Sequence, residues 1–387
     1  MMEKYHYYQS ALEKKREQKE YRQLRCVADL EEKNERSRIN FASNDFLGLS
    51  QHPYVKKNTI KYVLEWGAGT TPSRLVTEHL ECHRSVEEKL SDLVGKEGAL
   101  LFPSAYQVHD QILSTVLNSR TQVFIDRYCH HGLIQAVQGS GAQVFRYEHN
   151  NLGQLSSLLE KTGKNTVKWV VSESLFGIDG ELADLKKIGE IAEYYDALTY
   201  IDDSNSIGVL GKHGMGQGSH RRGIDLVFGS FGKQSGSFGA YVATNQMMRD
   251  YLLAFNPQLI ETTMLPPAVL GAISGSLDLI PDMQVERQRI ELTARTLREA
   301  LKENHWDIGN GSSHIIPLLC SSELECEKLS KALLKKSILT TLLKPPFVPQ
   351  GAARLRLCVT SLHSQEDISY LLKTLQYLSE EPALSIV

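Results

Sequence analysis

The chain has 387 residues, of which 41% are hydrophobic and 23% are charged. These proportions are those of an ordinary globular protein and exclude a disordered chain. Its 43 Lys and Arg residues against 46 Asp and Glu residues give a net charge of −3. This balance argues against a nucleic-acid-binding protein, which would carry a basic surface. The cysteines form no C-x-x-C pair, so neither a zinc site nor a thioredoxin-like site is predicted.

The first 25 residues predict an exposed, charge-rich helix that is too charged for a signal peptide. No uncharged run is long enough to span a membrane, so we expect a cytoplasmic protein without a membrane segment. The composition changes along the chain predict three parts. These are an N-terminal helix and arm over 1–45, a large domain over 46–280 and a small domain over 281–387.

In chain order, Ser85 and Glu88 form a capping-box pattern that predicts a helix start, and Gly95 predicts its end. Short apolar runs then predict strands at 99–102, 122–125, 143–147, 167–172, 198–201, 225–230 and 240–244. Because amphipathic helices separate these runs, the pattern favours an α/β fold with a mostly parallel sheet flanked by helices. A long helix over 283–305, strands at 315–319, 339–343 and 354–360 and a closing helix from Glu366 predict a smaller α+β domain.

Chemically reactive residues follow several of these predicted strands. Lys233 lies in the otherwise uncharged, Gly- and Ser-rich segment GSFGKQSGSFG at the end of strand 225–230, where burial would make its amine nucleophilic. Asp202 and His130 follow two other strands, and 104–106 predicts a helix start whose free N–H groups suit a phosphate. In α/β sheets such strand ends share one edge. An amine, a carboxylate, a stacking ring and a phosphate cradle are the parts that pyridoxal 5'-phosphate needs.

Several motifs in the same order resemble the α-oxoamine synthase family of fold-type-I pyridoxal-phosphate enzymes. They are NFASNDFLGLSQHP (40–53), GAGTTPSRLV (67–76), LLFPSAYQ (100–107), SESLFGIDGE (172–181), YIDDSNSIGVLG (200–211), SFGKQSGSFGAYV (230–242) and KPPFVPQGAARLRL (344–357). The resemblance covers nearly the whole chain. It implies a fold-type-I architecture with a large sheet domain and a small C-terminal domain.

The resemblance also implies roles for individual residues. Lys233 would form the Schiff base with the cofactor and serve as general acid/base, Asp202 would pair with the ring nitrogen, and His130 would stack on the ring. The other cofactor-binding positions would be Ala105, Tyr106, Gly177, Asn205 and Ser230. The substrate-binding positions would be Asn44 and Arg356 for the amino-acid carboxylate, Arg22 near the acyl substrate, and Phe347.

Four of these positions depart from the family pattern. Asn205 replaces a His, Gly177 replaces a Ser, Ala105 replaces a Gly and Phe347 replaces a Thr. Since all four face the cofactor or substrate region in the family, they point to an altered substrate choice or a modest activity.

The implied reaction is the decarboxylating condensation of an amino acid with an acyl thioester. The run over 344–357 and the compact length favour L-alanine and a pimeloyl thioester, on coenzyme A or an acyl carrier protein, in biotin synthesis. Family members that use glycine (2-amino-3-oxobutyrate ligase, 5-aminolevulinate synthase) or serine (serine palmitoyltransferase) remain alternatives, as does a scaffold that binds the cofactor without catalysis. A nicotinamide oxidoreductase is disfavoured because no G-x-G-x-x-G follows a strand. The family implies a homodimer with shared active sites.

Overall fold

A computed structural model describes residues 3–17, 21, 38–70, 73–76, 79–163, 166–345 and 347–380. Its contacts divide the chain into one unit over 1–38 and a compact unit over 39–387. In the first unit, helix α1 (His6–Glu17) is exposed on every face and carries Lys14, Lys15 and Arg16 in its last turn. The remainder of the predicted N-terminal helix, with Arg22, lies almost wholly outside the described residues. The predicted boundaries at 45 and 280 stay predictions.

A central sheet organises the second unit. Within the described residues it has seven strands in the order β2-β8-β7-β6-β5-β3-β4. Their bounds are β2 Gly98–Phe102, β3 Thr121–Asp126, β4 Gln143–Tyr147, β5 Val167–Glu173, β6 Ala197–Asp202, β7 Leu226–Ser230 and β8 Ala240–Thr244. Only β8 among these strands runs antiparallel to its neighbours, which confirms the predicted mostly parallel sheet.

Helices cover both faces of this sheet, because its inner strands are mostly apolar and largely buried and must be shielded on two sides. They are α2 (Pro53–Trp66), α3 (Glu81–Val94), α4 (Ala105–Val116), α5 (His131–Gly139), α6 (Leu152–Glu160), α7 (Leu185–Tyr194), α8 (Gln246–Phe255), α9 (Pro257–Glu261) and α10 (Pro267–Leu279). The predicted capping box at Ser85 is wrong. Helix α3 begins one turn earlier, since Cys82 belongs to the same buried face as Val86 and Leu90.

The C-terminal part combines α11 (Gln284–Glu303), α12 (Glu323–Lys335) and α13 (Gln365–Ser379) with a small antiparallel sheet. That sheet has the order β11 (Thr341–Leu343), β12 (Arg354–Cys358), β9 (Ile315–Leu319). The single strand predicted over 339–343 is wrong, because β10 (Ile338–Leu339) leaves it to pair with β1 (Ile39–Asn40). A capping box does occur in this part, where Ser364 and Asp367 begin α13. No helix in the described ranges combines the length and apolar character needed to cross a bilayer.

Candidate active site

The carboxyl ends of the strands align the candidate residues along one edge of the central sheet. Glu173 at the end of β5 is the register partner of Asp202 at the end of β6, and Asp202 pairs with Phe228 of β7. Ser230, which ends β7, faces Ala240, and Ala240 faces Phe102 at the end of β2. Because neighbouring strands lie about 4.8 Å apart, β2, β7, β6 and β5 deliver their terminal side chains to one continuous cleft.

Lys233 reaches this edge from the connection between β7 and β8. Phe231 N–H donates to Gly239 O at 2.9 Å, which closes the connection into a hairpin, and Gly239 has a φ of 94° that favours glycine. The half-buried Lys233 Nζ donates a 2.7 Å hydrogen bond to Asn205 Oδ1. Burial lowers the pKa of the Lys233 amine, although the charges of Asp202 and Glu173 oppose this shift. The bond to Asn205 holds the amine at a defined point, and burial shifts its protonation equilibrium toward the neutral, nucleophilic form.

Asp202 is the acidic partner in the cleft and is buried. Its Oδ2 lies 3.3 Å from His109 Nε2, and its Oδ1 accepts the Ser204 N–H at 2.8 Å. Burial by itself raises the pKa of Asp202, but His109, Lys233 and Ser204 outweigh it and hold the pKa at about 2. Asp202 therefore stays charged at every physiological pH.

His109 is a site residue that sequence reasoning missed. Its Nδ1 lies 2.9 Å from the hydroxyl of buried Tyr200, so Tyr200, His109 and Asp202 form a buried hydrogen-bonded chain. His109 stands four residues after Ala105, on the same face of α4, and that helical spacing was the one available signal.

Glu173 is the second residue missed. Its Oε1 accepts the backbone N–H of His130 at 2.5 Å, which fixes the start of α5. Burial and the neighbouring Asp202 raise the pKa of Glu173 to about 8. The His130 side chain accepts the Gly132 N–H through Nδ1 at 3.2 Å, and Asp202 and Lys233 lie close enough for their charges to act on its pKa. Glu173 directly follows a predicted strand, which could have marked it.

The start of α4 offers backbone donors beside Ser230. Helix α4 begins at Ala105 as predicted, and the Ser104 side chain, itself within the described chain, makes no capping hydrogen bond. The first amides of a helix have no intrahelical acceptor, so those of 105–107 remain available to an anion. Tyr106 is exposed and donates to Gln135 Oε1 at 2.9 Å. Ser230 Oγ accepts the Gly232 N–H at 3.2 Å.

Arg356 on β12 lies close enough to Lys233 for its charge to lower the pKa of that amine, and Asn44, which follows β1, contacts Arg356. Arg356 donates to Gly177 O at 2.9 Å and to Asn44 Oδ1 at 3.2 Å. Arg356 Nε is buried and has no partner among the described residues. The guanidinium is thus anchored by two acceptors and keeps a further donor for a carboxylate.

His314 lies behind this arginine and was also missed. It is buried against the edge of Phe46, with ring centroids 4.2 Å apart, and neither ring nitrogen has a partner in the described chain. Burial, reinforced by the charges of Arg298 and Arg356, lowers its pKa to about 3.

Phe347 is exposed in the turn after β11, where its N–H donates to Lys344 O. Arg22 lies outside the described residues.

Comparison of the sequence with known proteins shows the family to which the chain belongs. The profile of the class I and II aminotransferase family matches residues 36–375. An 8-amino-7-oxononanoate synthase of Gluconacetobacter diazotrophicus is 35% identical over 357 residues, which cover 90% of each chain.

Solved structures share the fold. Serine palmitoyltransferase of Sphingomonas wittichii matches with a TM-score of 0.88 at 21% identity and covers 100% of both chains. The 8-amino-7-oxononanoate synthase of Francisella tularensis matches with a TM-score of 0.77 at 23% identity, over 88% of this chain and 97% of its own. The chain therefore belongs to the class I and II aminotransferase family and, within it, to the α-oxoamine synthases, which are pyridoxal-phosphate-dependent acyltransferases.

Proposed function

We propose that the protein condenses L-alanine with a pimeloyl thioester, with loss of carbon dioxide, to give 8-amino-7-oxononanoate. The relative called 8-amino-7-oxononanoate synthase, which is 35% identical and is matched over 90% of the chain, supports this substrate pair. The observation that carries the chemistry is the cleft in which Lys233, Asp202 and the start of α4 share one sheet edge.

The residues of the cleft fit pyridoxal phosphate. A charged, buried Asp202 suits a protonated ring nitrogen, the amides at the start of α4 with Ser230 suit the phosphate, and the Lys233 amine suits the aldehyde. Ser204 Oγ is buried beside Asp202 without a partner in the described chain, which leaves one more donor for a bound group. When bound, pyridoxal phosphate supplies an electron sink that stabilises negative charge at the α-carbon of an amino acid.

Lys233 would move the proton at the amino-acid α-carbon. Because burial lowers its pKa, a neutral amine is available as a base at lower pH than for an exposed lysine. Asn205 holds that amine from one side, so its free direction is into the cleft. Asp202 keeps its charge throughout, and His130, placed by the bond from its N–H to Glu173, would stack on the ring.

Arg356 and Asn44 would bind the amino-acid carboxylate. The two acceptors that anchor the guanidinium are Gly177 O and Asn44 Oδ1, which leaves Nε toward a carboxylate oxygen. Arg22 would lie near the acyl substrate, and Phe347 would be a further substrate-binding position. The small apolar side chain of alanine would require no polar partner in the cleft.

We further propose a homodimer in which the active sites are completed by the partner subunit. Large apolar side chains are exposed on α2, in the Lys233 connection and on α8, namely Ile60, Leu64, Phe238, Met247 and Phe255. Contiguous apolar patches mark surfaces that a second protein covers, and these side chains are the candidates for such a patch. Sedimentation of the cofactor-loaded protein tests the dimer.

The test of function is release of coenzyme A. L-Alanine, glycine and L-serine would each be offered with pimeloyl-CoA, acetyl-CoA, succinyl-CoA and palmitoyl-CoA. Release that needs both L-alanine and pimeloyl-CoA, and that is lost in Lys233→Ala, is the expected result. The matched control is Lys302→Ala on the exposed face of α11, which should keep full activity. Release with another pair would keep the reaction class and overturn the substrates. No release with any acyl-CoA or with pimeloyl-loaded carrier protein, despite bound cofactor, would overturn the proposed catalysis.

A further inference from the structure

Two of the positions that depart from the family pattern, Gly177 and Asn205, are neighbours in the cleft. A Cβ built on Gly177 would lie 2.6 Å from Asn205 Nδ2 and 3.1 Å from Asn205 Cγ. Both distances are shorter than van der Waals contact allows, so a side chain at 177 and the observed Asn205 amide exclude one another. Gly177 does not have the positive φ that would itself demand glycine. Its missing side chain is therefore required by space and not by backbone conformation.

Neither partner can easily give way. Asn205 is buried, and both ends of its amide are engaged, since Oδ1 accepts from Lys233 Nζ at 2.7 Å and Nδ2 donates to Leu175 O at 3.3 Å. The backbone at Gly177 is fixed as well. Its carbonyl accepts from Arg356 at 2.9 Å, and its amide hydrogen-bonds to the Glu173 carboxylate. A side chain at 177 would thus displace the amide or disturb the arginine.

We propose that Gly177 and Asn205 act as one positioning pair, in which the space left at 177 allows the Asn205 amide to hold the Lys233 amine. The inference deepens the proposed function, since Lys233 is the residue that would carry the cofactor. On this proposal the departures from the family pattern at 177 and at 205 depend on one another. A Cβ at 177 and the loss of the Asn205 side chain should then have the same consequence at Lys233.

The consequence is measurable without the cofactor. Asn205 Oδ1 is a hydrogen-bond acceptor for the charged form of the amine, so its loss disfavours that form and shifts deprotonation of Lys233 to lower pH. Loss of one buried hydrogen bond to a charged group changes an equilibrium about tenfold or more, which corresponds to a shift of about one pH unit.

The experiment is pulse acetylation of the full-length, cofactor-free protein by acetic anhydride between about pH 6 and 11. Peptide mass spectrometry gives the pH midpoint of Lys233 acetylation. Gly177→Ala and Asn205→Ala should each lower this midpoint by about one unit, and the double variant should lower it by the same one unit. Gly177→Ser offers a second variant with the same Cβ. Gly139→Ser, at a helical glycine with no atom within 4 Å of its built Cβ, is the control and should leave the midpoint unchanged.

Two results would overturn the pairing. One is an unchanged midpoint in both Gly177 variants, and the other is a double variant whose shift is the sum of the single shifts. Borohydride trapping of pyridoxal phosphate at Lys233 of the wild-type protein tests the proposed function independently of the Gly177–Asn205 pairing. Absence of trapping would overturn the function, whereas the acetylation profile decides the pairing on its own.

Discussion

The Asp202 side and the Arg356 side of the cleft are held together by different kinds of contact. The Asp202 side belongs to the central sheet, where side chains meet side chains, and Tyr200, His109 and Asp202 bond in sequence inside the core. The Arg356 side joins β12 to the loop after β5, and there a guanidinium is held by a backbone carbonyl and an amide oxygen. The first side is buried and presents the charged Asp202, which suits a permanent cofactor. The second keeps an unpartnered donor, as a side that exchanges substrate requires.

Replacement of Asp202 tests the first side and should have the largest effect. Asp202→Asn keeps the shape but removes the charge that would face the ring nitrogen. Loss of one member of a buried charged pair costs about 2–5 kcal/mol, which corresponds to a decrease in kcat of roughly 30- to 5,000-fold. Steady-state kinetics of the cofactor-loaded variant measure it. A kcat within threefold of the wild type would remove Asp202 from the proposed chemistry.

Arg356→Lys tests the second side. A single ammonium group cannot contact Gly177 O, Asn44 Oδ1 and a substrate carboxylate together, so the KM for L-alanine should rise about 10- to 100-fold. The kcat should change less, because the carboxylate is bound before and during reaction.

Arg354→Lys is the matched control for this variant. Arg354 lies two residues away on the same strand and pairs with Asp179 instead of facing Lys233. Its KM for L-alanine should stay within about threefold of the wild type. Equal changes in the two variants would show that β12 itself, and not the Arg356 contact, had been disturbed.

His109→Phe tests whether the buried chain behind Asp202 matters. The ring volume is nearly kept, but both Tyr200 and Asp202 lose a partner, which raises the pKa of Asp202 and should reduce kcat about tenfold. The visible absorbance of the bound cofactor should also change its pH dependence. Tyr200→Phe removes only the distal bond and should have a smaller effect. An unchanged absorbance profile in His109→Phe would leave His109 with a packing role alone.

His314→Phe should leave kcat nearly unchanged and should change the pH dependence of stability in acid. Burial lowers the pKa of His314 to about 3 in the folded chain, whereas an unfolded histidine takes up a proton near about pH 6.5. The stability that depends on neutral His314 is therefore complete above about pH 6.5 and declines as the pH falls toward 3. By pH 5 the decline should reach about 2 kcal/mol. Urea unfolding from pH 7.5 to 5 should show a shallower acid decline in the variant. Parallel curves would contradict this assignment.

The sequence by itself determined most of the sheet, because strands buried on both faces leave continuous apolar runs. It also predicted the loop of Lys233, the position of Asp202 at a strand end and the helix start at Ala105, since these depend on short motifs next to strands. One predicted helix start was wrong. At α3 a buried face that begins at Cys82 overrode the polar pattern at Ser85.

Only the tertiary structure decided how residues distant along the chain cooperate. His109 joins Asp202 across 93 positions, and Gly177 meets Asn205, contacts that depend on strand order and on side-chain volume. Strand order is set by how all the helices and strands pack, and no local spacing records it. For this reason the sequence predicted the reactive groups one by one, whereas their pairing required the folded chain.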